Sequence, residues 1–109
     1  MNTYLLIYHS PKEAMEKFNS MTEEEMGVVM EAWMKWKDDN EGAIVDFGNP
    51  VGGQHVATLS DFKEVNDDVS GYGIIQAEDL EGAKKVLENH PSLADDDGST
   101  ISLYQIHEM

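Results

Sequence analysis

Apolar positions fall in short runs separated by polar, glycine- and proline-bearing stretches. The first run, Thr3-Tyr4-Leu5-Leu6-Ile7-Tyr8-His9, has the length and β-favouring residues of a strand. Its near-continuous hydrophobicity predicts burial on both faces. Ser10-Pro11-Lys12-Glu13 then reads as a helix start, with Ser10 as N-cap, Pro11 in the first helical position and Glu13 completing a capping box. A short helix to about Phe18 follows. Thr22-Glu23-Glu24-Glu25 forms a second capping box, and its glutamates lie where the helix dipole favours negative charge. Met26, Val29, Met30, Trp33 and Met34 recur at helical spacing. They predict a helix from Glu23 to about Asp38 whose Met/Trp stripe packs into the core. Trp36 stands about 80–90° round the helix from the Met26/Trp33 line, where it can cover a cleft edge or meet a partner.

Ala43-Ile44-Val45-Asp46-Phe47 reads as a second strand and Gly48 to Gly53 as a loop punctuated by glycines and Pro50. His55 to Leu59 can form a short strand, while Ser60 to Ser70 shows no clear pattern. Gly71 to Ala77 is the next strand. A helix begins at Glu78 or Asp79, carries Leu80, Ala83, Val86 and Leu87 on one face, and ends at Asn89-His90, ahead of Pro91. The acidic segment Asp95-Asp96-Asp97-Gly98 reads as a solvated turn, and Thr100 to His107 as the last strand. Two strand-helix-strand halves predict an α+β fold of the ferredoxin-like kind, with both main helices on one face of an antiparallel sheet. An open α/β sheet fits less well, because no Gly-rich phosphate loop joins a strand to a helix.

Composition narrows the function classes. The 109 residues bound the chain to one domain, 1–109. Twenty-two acidic against 7 basic residues give a net charge of −15. That repels phosphate backbones and anionic lipid, so neither nucleic acid nor a membrane is expected as partner. The absence of cysteine excludes disulfides, thiolate metal sites and cysteine nucleophiles, and fits a reducing cytoplasm. No apolar run reaches the roughly 20 residues of a membrane span, and the start lacks a signal-peptide pattern.

Four stretches carry a family likeness: Met21 to Met26, Ala32-Trp33-Met34-Lys35-Trp36, Asp46-Phe47-Gly48-Asn49-Pro50, and Gly71-Tyr72-Gly73 running into the helix that holds Ala83. With His90-Pro91 and the closing strand, the chain resembles the YCII-related (DGPF-type) family over nearly its whole length. The resemblance implies a ferredoxin-like protomer of the dimeric α/β barrel superfamily. It implies less about activity. Some relatives are thought to use a His/Asp pair, but Met, Val and Trp stand where many carry a histidine on the first long helix.

Four histidines are the groups that change charge near neutral pH. His9 ends a strand, where functional groups often sit. His55 follows the glycine-rich loop. His90 can bond free carbonyls at a helix end and complement its dipole, a structural role that competes with a catalytic one. His107 reads as solvated. No histidine pair has ligand spacing, so no metal site is expected. Asp46 interrupts an apolar strand and must be hydrogen-bonded by the loop, line a cleft, or face solvent. Glycines at 48, 52 and 53 let backbone approach a ligand, so Gly48, Asn49, Pro50 and the flanking Asp46 and His55 are expected to rim the main pocket.

These residues fit a small enzyme of the YCII-related kind that moves protons on a small organic molecule, as a lyase or isomerase, without an organic cofactor. Asp46 would orient or accept a proton, one of His55, His9 or His90 would act as acid/base, and Tyr8 or Tyr72 would donate a hydrogen bond. The competing reading is a non-catalytic metabolite-binding or interaction module. A homodimer is also expected. Leu5, Ile7 and His9 share one face of the first strand and Tyr4, Leu6 and Tyr8 the other, while Ile101 and Leu103 oppose Tyr104 and Ile106. Two helices cover one sheet face, so pairing sheets about a two-fold axis would hide the other.

Overall fold

The computed structural model describes residues 1–94 and 98–109; the expected turn at Asp95, Asp96 and Asp97 lies outside them. The elements are β1 (Asn2–His9), α1 (Lys12–Asn19), α2 (Glu23–Asp39), β2 (Ile44–Asp46), β3 (His55–Ala57), β4 (Phe62–Glu64), β5 (Val69–Ala77), α3 (Leu80–Val86), a 3-10 turn (Pro91–Leu93) and β6 (Thr100–Ile106). Four strands form one antiparallel sheet in the order β2-β5-β1-β6. That arrangement is the ferredoxin-like α+β fold.

The register sorts side chains by face. Tyr4, Leu6 and Tyr8 pair with Ile75, Gly73 and Gly71 on one side, and Leu6 and Tyr8 with Leu103 and Ile101 on the other. Trp36 of α2 and Ala83 and Val86 of α3 close over this face to make the core. The opposite face carries Leu5, Ile7, Tyr72, Ile74, Tyr104 and Ile106, with no helix of the core cluster upon it. Tyr104 and Ile106 there are exposed. Hydrophobicity on both sides of β1 therefore does not mean equal burial within one chain: one face is buried, the other half-buried.

Several local expectations change. Ser10 does not cap α1: the N-cap is Pro11, without a side-chain hydrogen bond. The Ser10 hydroxyl is drawn instead to Ser70, 2.9 Å away. Thr22 and Glu25 do form the reciprocal capping box of α2. Along α2, however, Met30 and Met34 are exposed and Trp36 is the buried residue. The Trp36 indole N–H reaches the Val86 carbonyl at 2.9 Å, which requires the helix to turn that side inward. β2 stops at Asp46, where its pairing with β5 shifts register. The unassigned stretch after Leu59 supplies β4, which with β3 makes a two-stranded hairpin apart from the main sheet. α3 ends at Val86, not at His90, because Asn89 turns left-handed (φ 61°) and His90 is extended ahead of Pro91.

Candidate active site

Two histidine centres lie on opposite faces of the sheet. On the helix side, His90 is 1% exposed. Its ring centroid lies 5.2 Å from Tyr8, 4.8 Å from Trp33 and 4.4 Å from Trp36. The Ser92 backbone N–H can only donate, and it points at His90 Nδ1 from 3.1 Å. Nδ1 must therefore be bare, so the neutral ring carries its hydrogen on Nε2 and donates it to the Tyr8 hydroxyl at 3.3 Å. Burial drives both groups toward neutrality: His90 falls to about 4 and the Tyr8 phenol rises to about 12. Gly73 makes room for this ring, since a Cβ there would stand 3.2 Å from the Tyr8 hydroxyl. Sealed from solvent and held neutral, His90 acts as a packed, hydrogen-bonded wedge between sheet and helices. It is not the helix-end partner of free carbonyls that the sequence suggests.

On the other face, the strand ends bring three polar groups into a line. His9 Nδ1 lies 2.7 Å from Asp68 Oδ1, and His9 Nε2 lies 2.7 Å from Ser102 Oγ. Pairing of β1 with β5 slips between Tyr8 and His9, setting His9 against Val69. Ser10 N–H then bonds the Asp68 carbonyl at 2.7 Å and fixes the residue that carries the carboxylate. An ionised carboxylate only accepts, so Nδ1–H donates to Asp68 and Nε2 is left as a base that takes the Ser102 O–H. The His9 side chain is 22% exposed and Asp68 56%. This centre is reachable from solvent.

The remaining candidates are distributed along the β5 side. Asp46 is exposed, and its carboxylate accepts the Gly48 N–H at 2.8 Å, closing a tight turn. Gly48 takes φ 80°, and any Cβ there would overlap the Tyr72 carbonyl oxygen. The Asn49 carbonyl accepts from the Tyr72 N–H at 3.3 Å, and Pro50 bridges to Gly71. Tyr72 itself sits on the uncovered face opposite Ile7. His55 belongs to the hairpin, stacks on Phe62 at 5.3 Å and donates from Nδ1 to the Gly53 carbonyl at 2.8 Å. Val51, Gly52, Gln54, His55, Asp67 and Val69 line an open cleft of about 270 Å³. Its walls include the two chain neighbours of Asp68, and the Gln54 side-chain oxygen is buried without a hydrogen-bond partner among the described residues.

Thus Tyr8 meets His90, and the loop packs its backbone against Tyr72. Asp46 is in hydrogen-bond contact with neither histidine centre among the described residues. Asp68 and Ser102 escape a reading by motif, because no local pattern marks them. The antiparallel pairing of His9 with the segments preceding Gly71 and following Thr100 is the signal that finds them. Among the described residues, no cluster of three or more His, Asp or Glu side chains is set to hold a metal ion, and no helix is long and apolar enough to cross a membrane. Compared with protein families, residues 1–109 match the YCII-related domain. No curated protein matches the chain.

Proposed function

The chain belongs to the YCII-related family, and from that premise we propose that it is a small-molecule enzyme that transfers protons without an organic cofactor, as a lyase or isomerase does. The supporting observation is the Asp68–His9–Ser102 line. A carboxylate 2.7 Å from Nδ1 orients the ring and stabilises the imidazolium formed when Nε2 takes a proton. Substrate would displace the Ser102 hydroxyl from Nε2 and lie against Tyr72 on the uncovered sheet face. His9 is favoured over His90 because a base must be reached, and His90 is buried. His9 is favoured over His55 because a carboxylate orients its ring and can stabilise the imidazolium, whereas His55 donates to the Gly53 carbonyl; Asp46 is assigned support of the turn through the Gly48 N–H.

We also propose that the working form is a homodimer paired through this face. Leu5, Ile74, Tyr104 and Ile106 would then be covered, while the Ile7 end of the face, with Tyr72, Ser102 and the His9 centre, would stay open to solvent at the rim of the interface.

The activity is tested by following C–H exchange in D2O over a panel of small carbonyl compounds, with wild-type protein and His9→Gln. The expected result is exchange of at least one compound, slowed by about 100-fold or more in the variant. Exchange that survives His9→Gln would place the chemistry elsewhere. A compound that binds without exchange would favour a metabolite-binding module.

A further inference from the structure

The hydroxyl that occupies His9 Nε2 is itself a nucleophile, and we infer that Ser102 is activated by His9 and Asp68 for acyl transfer from small activated esters. The inference rests on the reading of His9 as a base and extends it to a covalent step. Three requirements meet at this one place among the described residues: a hydroxyl on the base nitrogen, a carboxylate on the other nitrogen, and access from solvent.

Ser10, Ser70 and Ser92 each fail at least one of them. Ser10 and Ser70 bond each other, and Ser70 also bonds the Tyr8 carbonyl. The Ser92 hydroxyl lies 2.9 Å from His90 Nδ1, but that nitrogen already takes a backbone N–H and the far side of the ring meets Tyr8 rather than a carboxylate. His90 is also sealed inside the core. Ser102, by contrast, stands on the rigid strand β6 opposite Ile7, on the face that the helices leave open.

Ser102 Oγ forms a bond to the ester carbonyl carbon while its hydroxyl proton passes to His9 Nε2, and Asp68 holds the resulting imidazolium. Collapse of the tetrahedral adduct breaks the bond to the leaving oxygen, which departs with the proton from His9. Water then adds to the acyl-serine, giving one proton to Nε2. His9 returns that proton to Ser102 Oγ as the carboxylic acid leaves.

The experiment uses the intact protein with 4-nitrophenyl acetate, reading nitrophenol release together with peptide mass mapping. The expected result is a burst that places one acetyl group on Ser102, abolished by Ser102→Ala and slowed about 100-fold by His9→Gln. Folding of both variants is checked by thermal melting. A fluorophosphonate probe should label the same serine. Acetyl groups found only on lysines, or release unchanged in a folded Ser102→Ala, would overturn the inference. C–H exchange by wild-type protein in the absence of ester separates the two readings. Exchange that depends on His9 with Ser102 never acylated sinks acyl transfer alone, whereas acylation without such exchange sinks proton transfer alone.

Discussion

Burial and hydrogen bonding decide what each histidine can do. His90 in the unfolded chain takes a proton near pH 6.5 but resists it down to about pH 4 when folded, because burial disfavours the charged ring. Between those values the unfolded state binds more protons, so stability is fully present above pH 6.5 and is lost as pH falls toward 4. The loss is on the order of 3 kcal/mol. His90→Ala should destabilise the fold by about 2–4 kcal/mol at neutral pH, since it opens a cavity among Tyr8, Trp33 and Trp36 and leaves Ser92 N–H unpaired. The variant should also lack that acid limb. Urea unfolding across this pH range checks both, and parallel pH profiles for wild type and variant would refute the burial argument. Tyr8 works in the other direction. Its phenol is held neutral to about 12, so stability is present below pH 10 and is lost as pH rises from 10 through 12.

At the scale of elements, glycines in different settings should respond oppositely to the same change. Gly48 adopts φ 80° at the end of β2, with the Tyr72 carbonyl where a side chain would go. Gly48→Ala should therefore cost at least about 2 kcal/mol and loosen the contact between loop and β5. Gly27 lies exposed within α2, and the space that an alanine methyl would fill there is open. Gly27→Ala should stabilise by roughly 0.5–1 kcal/mol. Paired thermal melts measure both signs, and a neutral Gly48→Ala would show that the turn is not constrained.

These elements also differ in how legible they are in the sequence. The capping box at Thr22 and the apolar runs of β1 and β5 announce themselves, because local hydrogen bonding and hydrophobic length fix them. The inward side of α2 is not legible, since Met30, Met34 and Trp36 differ little in hydrophobicity and only the Val86 carbonyl selects Trp36. The hairpin hides because its strand residues are exposed and mixed in polarity. The His9 half of the candidate site is visible, while Asp68 and Ser102 depend on strand register, which no short motif encodes.

For the whole molecule, the sheet separates two environments. One face is sealed by α2 and α3, and the other presents apolar side chains around the end of the His9 line. If that second face pairs with a copy of itself, light scattering after size exclusion at micromolar concentration should give about twice 12.2 kDa. The −15 charge opposes association, but at 0.1 M salt it is screened over about 10 Å. A monomer mass at that concentration would contradict sheet pairing.

Across these scales Asp68 holds His9 as a base on the open face, while the core holds His90 as a neutral donor. The most direct measurement is the two-bond proton–nitrogen spectrum of the imidazoles at mildly alkaline pH, assigned with His9→Gln. His9 should carry its hydrogen on Nδ1 and His90 on Nε2, as their partners require. In Asp68→Ala, His9 should revert to the Nε2–H form that free imidazoles prefer. If wild-type His9 already carries its hydrogen on Nε2, it has no lone pair facing Ser102 and the account fails.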